Sequence, residues 1–322
     1  MQSTDQPALI GLDWGTSALR AYLFNQAGDI VAREASDNGI QSVPDQQFRA
    51  VFETCCAAWL SAEPAIPVIA CGMVGSQQGW REAGYAECPA DLNSLSRAIT
   101  RIDELAGRRF AIVPGLKKTG FMKVGSAADF DVMRGEETQI LGLCHAADSN
   151  DLIRSERVYV LPGSHSKWVR AVADQVLDFR SFLTGELYSA VAGHTLVGRL
   201  FPANSTDFDN DAFAAGVACI RESPNALTAH LFSVRAQGLL GQRLPAALPS
   251  YLSGLLIGSE LIAALDSFTS TQPITLVGTE ALVQRYQCAL ELFGLRSLQG
   301  TSDSAAQGLF YLARQAGLFG TQ

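Results

Sequence analysis

Residues 9–24 read "LIGLDWGTSALRAYLF". An apolar run ends at Asp13, gives way to Trp14, Gly15, Thr16 and Ser17, and resumes with Leu19, Ala21, Leu23 and Phe24. Two strands joined by a short turn fit this pattern. With the turn signal "NQAGD" around Gly28, the opening reads as three strands over 8–14, 18–25 and 29–35. The interruption itself has two readings. It is a plain hairpin, or it is an anion site. Gly15 lets backbone N–H groups come close to a polyanion, and Thr16 and Ser17 add hydroxyl donors. Asp13, at a strand end, would then hold a Mg²⁺ ion directly or through water.

Working outward, "FRAVFETCCAAWL" spaces Phe48, Val51, Phe52, Cys55, Trp59 and Leu60 as an amphipathic helix. The buried strand "IPVIACG" leads into the loop "GMVGSQQGW". A helix over 91–106 and the strand "RFAIVPG" complete an α/β half, and a helix near 135–147 is read as the link to the second. The second half repeats this grammar. The strand "RVYVLPG" meets the loop "GSHS", continues as "KWVRAVA", turns, and runs again as "VLDFRSF". Helices are expected over 186–199, 209–221, 225–240 and 249–267, followed by the strand "PITLVG", a helix, the short strand "LRSLQ" and a last helix over 302–317. At 322 residues, and roughly 150 residues per domain, two domains are expected, 1–150 and 151–322.

The second loop bears on the first. Gly163, Ser164, His165, Ser166 and Lys167 again offer glycine and hydroxyls at a hairpin turn, now beside a cation. Two such loops would grip one polyphosphate from both sides, although His165 equally suits a structural hydrogen bond. Gly278 and Thr279, in "LVGTEALVQRY", form a strand-to-helix turn with Thr279 as a candidate N-cap. By itself that turn is ordinary.

Composition narrows the classes. A net charge of −8 argues against a general binder of nucleic acid or anionic membranes. No run is read as approaching the ~18 apolar residues of a membrane span, and "MQSTDQPAL" lacks the features of a signal peptide. The seven cysteines (55, 56, 71, 88, 144, 219, 288) never fall as C-x-x-C, and so read as small hydrophobes in a reducing, cytoplasmic setting. Gly-Lys, G-x-G-x-x-G, G-x-S-x-G and H-E-x-x-H do not occur, which removes the main support for P-loop, dinucleotide, hydrolase and zincin readings.

The stretch "DFDVMRGEETQILGL" brings Asp129, Asp131, Arg134, Glu136 and Glu137 to the start of an apolar helix. Acids in a first turn suit the helix dipole. In phosphoryl transfer, one of them would take the proton of the attacking hydroxyl.

Together these residues carry a resemblance. "DWGTS", "PGSHSKWV" and "LVGT" resemble the two phosphate motifs and the adenosine motif of the actin/Hsp70/sugar-kinase superfamily. "GMVGSQQGW", "VMRGEETQ", "LPGSHSKWV", "FLTGEL", "YLSGLLIG" and "LVGTEALVQRY" resemble the 2-dehydro-3-deoxygalactonokinase family across essentially the whole chain. One departure is Ser164, where the family more often carries threonine; the hydroxyl is kept.

The resemblance implies two ribonuclease H-like domains, with mixed central sheets flanked by helices, around an interdomain cleft for ATP and substrate. It implies a kinase that uses ATP and Mg²⁺ on the 6-hydroxyl of 2-dehydro-3-deoxy-D-galactonate, with small-molecule partners only and room for a homodimer. Phosphate and nucleotide contacts would fall on Gly15, Thr16, Ser17, Gly163, Ser164, His165, Ser166, Lys167, Gly278 and Thr279. The sugar acid would meet Gly72, Met73, Gly75, Ser76, Trp80, Thr184 and Glu186, with Arg20, Arg81, Arg134 and Lys167 as candidate cations for its carboxylate. Asp13 is the expected metal ligand. Asp131 lies outside the shared "VMRGEETQ", which makes Glu136 the expected base and Glu137 its alternate. A kinase of the same superfamily for another sugar or sugar acid, or a non-metabolic ATPase, is the competing reading.

Overall fold

The computed structural model describes residues 6–102, 107–120, 130–146, 155–203 and 208–319. Three strands open the chain, β1 (Pro7–Trp14), β2 (Leu19–Asn25) and β3 (Ile30–Ser36). Then come α1 (Phe48–Cys55), α2 (Ala57–Ala62), β4 (Val68–Cys71), β5 (Tyr85–Glu87), α3 (Leu92–Arg97), β6 (Thr100–Ile102), β7 (Phe110–Ile112), β8 (Gly115–Thr119), β9 (Phe130–Met133) and α4 (Glu136–Ala146). The expected single helix over 48–60 is two. The backbone leaves helical geometry at Cys56 (φ −104°, ψ 16°), yet Phe52, Cys56, Trp59 and Leu60 still face one core, so the apolar period survives the break. The helix expected over 91–106 stops at Arg97 and is followed by β6; residues 103–106 lie outside the described residues.

The second half runs β10 (Arg157–Leu161), β11 (Ser166–Val172), β12 (Gln175–Phe182), α5 (Thr184–His194), α6 (Asn210–Glu222), α7 (Leu227–Leu239), α8 (Leu248–Leu265), β13 (Ile274–Leu276), α9 (Glu280–Leu292), β14 (Ser297–Gln299) and α10 (Ser304–Gln315). Asp209 caps α6 by accepting the Ala212 N–H at 2.9 Å, as its side chain suits. Thr279 stands at the N-cap position of α9, but its hydroxyl makes no capping bond. One expectation is corrected here. Pro245–Leu265 is long and apolar enough to cross a membrane, with mean hydropathy 1.4 and 72% of that stretch buried within the protein.

Two sheets repeat one plan. The first has the order β3-β2-β1-β4-β7-β6 and the second β12-β11-β10-β13-β14. In each, the third, second and first strands of the half stand beside two later parallel strands, and the first sheet adds antiparallel β6 at its edge. β4 runs parallel to β1 and β7 parallel to β4, as β13 does to β10 and β14 to β13. In such sheets ligands collect outside the carboxyl ends of the parallel strands. Those ends are Asp13 and Cys71 in the first sheet, which face each other in register. A third sheet, β5-β8-β9, was not read from the sequence.

The chain divides into two compact units, Met1–Glu156 with Ala171–Phe179 and Thr301–Gln322, and Arg157–Arg170 with Arg180–Gly300. The boundary expected at 150/151 lies outside the described residues. The last helix, α10, belongs to the first unit. Gly142 and Gly308 let α4 and α10 approach backbone to backbone, since a Cβ on Gly308 would stand 1.9 Å from the Thr138 carbonyl oxygen. Each unit has its own core. The first centres on Trp14, Phe48, Phe52 and Phe110, the second on Trp168, Phe213, Leu261 and Phe268.

Candidate active site

In the first unit, Asp13 ends β1 and pairs across the hairpin with Arg20. The Arg20 Nη2 donates to Asp13 Oδ2 at 2.6 Å. Burial lifts the Asp13 carboxyl above its usual range and Arg20 pulls it back, with the balance upward. The turn beyond closes through Gly15 N–H to the Ala18 carbonyl at 2.9 Å. It is braced from below, where Ile40 and Gln41 donate backbone N–H groups to the Gly15 and Thr16 carbonyls. Gly39 lies so close that a Cβ would stand 2.3 Å from Thr16 O and Ser17 C. Thr16 is half-buried and Ser17 exposed at this tip.

Gly72 follows β4 with φ +89°, and a Cβ on it would meet the Trp14 carbonyl oxygen at 2.8 Å and Asp13 Oδ1 at 3.6 Å. Gly135, with φ +108°, comes equally near, its Cβ position being 3.3 Å from the Gly72 Cα. These glycines bring the start of α4 to Asp13. The Cys71 thiol sits among the same groups. Burial lifts its pKa, the charges of Asp13 and Glu137 lift it further, and a hydrogen bond with Thr138 opposes them.

The two acids of α4 differ in access. Glu137 is fully buried, accepting the Gly135 N–H at 2.7 Å and the Thr138 hydroxyl at 2.9 Å. Burial, then the neighbouring Glu136, pushes its pKa up to about 8. Glu136 is half-buried and accepts the Arg134 N–H at 3.0 Å. Asp131 lies on β9 opposite Lys118; Asp129 lies outside the described residues.

The sequence-predicted sugar-acid residues divide. The loop after Gly72 turns tightly, with the Ser76 hydroxyl on the Met73 carbonyl at 2.7 Å. Gly72, Gly75 and Ser76 are buried, Met73 half-buried and Gln77 and Gln78 exposed. Trp80 packs among Trp14, Phe48, Phe52 and Phe110 with ring centroids 4.8–6.5 Å away. The Arg134 guanidinium lies 4.3 Å over the Tyr85 ring and donates to the Gly84 carbonyl at 2.7 Å. Its Nε and Nη1 are buried without a hydrogen-bond partner, an unusual state for a guanidinium. Thr184 and Glu186 stand in the second unit, on the Gly163–Ser164 loop.

In that unit the Glu186 N–H donates to the Ser164 carbonyl at 2.9 Å, and a Cβ on Gly185 would stand 2.3 Å from the Gly163 carbonyl oxygen. His165 Nε2 and Glu186 Oε2 are 2.5 Å apart at the surface. Gly163 is half-buried and Ser164 and His165 exposed, whereas Ser166 and Lys167 are buried. The Lys167 ammonium donates to the Ser181 hydroxyl at 2.5 Å. Gly278 abuts the start of the loop, its Cβ position 3.3 Å from the Pro162 carbonyl oxygen.

Beside this loop opens a cavity of about 250 Å³. Gly163, Ser164, Thr184 and Gly185 form its polar rim, and Leu256, Ile257 and Leu282 an apolar wall that ends at Tyr188, Arg285 and Tyr286. Sequence reasoning missed this wall. Its members belong to α5, α8 and α9, where they read as ordinary helix positions. Apolar walls with a polar rim suit a flat heterocycle carrying a polar tail.

The 2-keto-3-deoxy-galactonokinase family matches residues 13–312. A Rhizobium meliloti protein named as a probable 2-dehydro-3-deoxygalactonokinase is 37% identical over 306 residues, covering 94% of this chain and 95% of that protein. The 2-dehydro-3-deoxygalactonokinase of Escherichia coli is 35% identical over 298 residues, 92% and 94% of the two chains. A crystal structure from Sinorhizobium meliloti carrying the 2-dehydro-3-deoxygalactonokinase name superposes with a TM-score of 0.84 at 37% identity, over 95% of this chain and 98% of that one. Component A of an Acidaminococcus fermentans (R)-2-hydroxyglutaryl-CoA dehydratase shares the fold, with a TM-score of 0.52 at 12% identity over 97% of this chain. On the match that begins at Asp13 and runs through both glycine loops to α10, the chain belongs to the 2-keto-3-deoxy-galactonokinase family.

Proposed function

We propose that the protein transfers the γ-phosphoryl group of ATP to the 6-hydroxyl of 2-dehydro-3-deoxy-D-galactonate, giving the 6-phosphate and ADP in galactonate breakdown. The observation that carries this reading is the convergence of Asp13, Gly72, Gly135 and the acids of α4 at the carboxyl ends of β1 and β4, in a chain of this family. Phosphoryl transfer asks the protein mainly for positioning and charge neutralisation.

Glu136 is assigned as the general base. A base must reach the hydroxyl it deprotonates, and Glu136 is half-buried where Glu137 is sealed in. Glu137, held by Gly135 and Thr138, positions the turn that presents Glu136. In the second unit the cavity takes the nucleoside, with Gly163 and Ser164 at its phosphates.

Among the described residues no group of three His, Cys, Asp or Glu side chains could cage a metal. Mg²⁺ does not ask for one, since it keeps several waters and takes one or two carboxylates with substrate phosphates. Asp13 offers one such carboxylate, and an ion held there would neutralise charge on the transferring group. A cytosolic setting belongs to the proposal and suits the seven free thiols.

The test is a coupled ADP-release assay on 2-keto-3-deoxy acids of galacto and gluco configuration, with neutral sugars alongside. The expected outcome is release that needs the acid and favours the galacto isomer. Release driven by neutral sugars, or without any acceptor, overturns the assignment.

A further inference from the structure

The helix α8, "LPSYLSGLLIGSELIAAL", carries a single charged residue, Glu260, and the fold buries it to 3% exposure. A buried carboxylate is tolerated only when its oxygens are satisfied. Here Oε1 accepts the Ser166 hydroxyl at 2.8 Å and the Trp168 Nε1–H at 2.7 Å. Oε2 accepts the Tyr286 hydroxyl at 2.8 Å and the Thr184 hydroxyl. The donors come from β11, the first turn of α5 and α9, so one side chain ties three elements to a fourth. None of the four is a cation. Thr184 and Tyr286 line the cavity, and Ser166 lies two residues past Ser164 at its rim.

We propose that Glu260 is a positioning residue for nucleotide binding, its carboxylate holding the Gly163–Ser166 loop and the head of α5 in the arrangement that keeps the cavity open. This rests on reading the cavity as the nucleoside site. The chemistry of the donors says which face the charge serves. Trp168 Nε1–H can only donate, whereas hydroxyls can turn and accept. A glutamine at 260 must therefore keep its oxygen toward Trp168 and turn its amide toward Thr184 and Tyr286. The Tyr286 hydroxyl then has Ser166 Oγ, 3.2 Å away, as its remaining acceptor. The core side of the network survives the exchange and the cavity side is rearranged.

Glu260→Gln, Thr184→Val and Thr184→Ser are compared with wild type by ATP calorimetry without sugar acid, by KM for each substrate, and by thermal melting. Glu260→Gln and Thr184→Val are expected to raise Kd and KM for ATP about tenfold, the size of one lost hydrogen bond to a charged acceptor. The KM for the sugar acid should stay within about twofold, and Thr184→Ser should restore ATP binding. If Glu260→Gln does not fold, the Thr184 pair decides the matter. Lower melting temperatures with unchanged ATP binding would make Glu260 a core residue only and end the proposal. Wild-type protein that binds no ATP would instead remove the nucleoside reading beneath it, and the two failures are told apart on the unmutated chain.

Discussion

The tips of the two hairpins occupy the same place in two sheets of the same strand order, and each is supported in the same way. Gly39 stands three residues past Ser36, the end of β3, and Gly185 three residues past Phe182, the end of β12. Each glycine lies 2.3 Å, by its Cβ position, from a carbonyl of its own loop, and the residues after it donate backbone N–H groups to that loop. The acids beside the tips differ. Asp13 holds one cation, Arg20, whose side chain is half exposed. Glu260 holds four neutral donors that are all built into the core. A carboxylate matched by a cation at the surface can exchange that cation for another positive group, whereas one saturated by fixed donors cannot. Shared topology thus carries an ion pair beside one tip and a carboxylate saturated by neutral donors beside the other.

The largest effect should come from the first unit. Glu136→Gln is expected to lower kcat by about 10²–10⁴, with ATP affinity in the second unit unchanged. Near-normal turnover would take the base role from Glu136. Next in size is Asp13→Asn, which leaves Arg20 facing a neutral amide. A fall in kcat of about 10²-fold is expected, in the range of losing one group that stabilises developing charge. If Mg²⁺ dependence is the same in the variant, Asp13 is not at the metal.

The supporting glycines test whether the two loops are alike. Gly39→Ala and Gly185→Ala each drive a methyl group into backbone, so each should cost about 1–3 kcal/mol by urea unfolding. Gly185→Ala should also raise the KM for ATP. Should one variant prove neutral, the symmetry between the tips is confined to strand order.

How much of this was legible depends on distance along the chain. The meanders were readable because apolar runs interrupted by glycine and small polar residues are local signals, and both glycine loops fell where the runs broke. The sheet β5-β8-β9 left no such trace. Its strands, "YAE", "GLKKT" and "FDVM", are short and carry charge, and β5 pairs with β8 across 30 residues of chain. Trp80 read as a pocket residue because it sits in a glycine-rich loop; only the fold shows its ring among Phe52 and Phe110. Glu260 was hidden for the same reason. One acid in an apolar helix looks like a notch facing water until Trp168, 92 residues away, is seen to point at it.

The smallest expected effect concerns the protonation of the buried Glu137. Burial raises the pKa of both Glu137 and Glu260; at Glu260 four donors oppose the rise, while Glu137 receives two and is pushed up to about 8. Between its ordinary value of 4.5 and about 8, Glu137 is then neutral in the fold and ionised in the unfolded chain. Folding takes up a proton in that window, so the stability this group supplies is complete below it and is lost as pH rises through it. The slope is at most about 1.4 kcal/mol per pH unit for one group. Asp13 and Glu260 shift in the same direction but are common to wild type and Glu137→Gln, and so cancel in their difference. Urea midpoints at pH 6 and 7 should show wild type losing about 1 kcal/mol that Glu137→Gln does not lose. Parallel pH profiles would mean that Glu137 is ionised in the fold, and the electrostatic contrast between the units would rest on Asp13 and Arg20 alone.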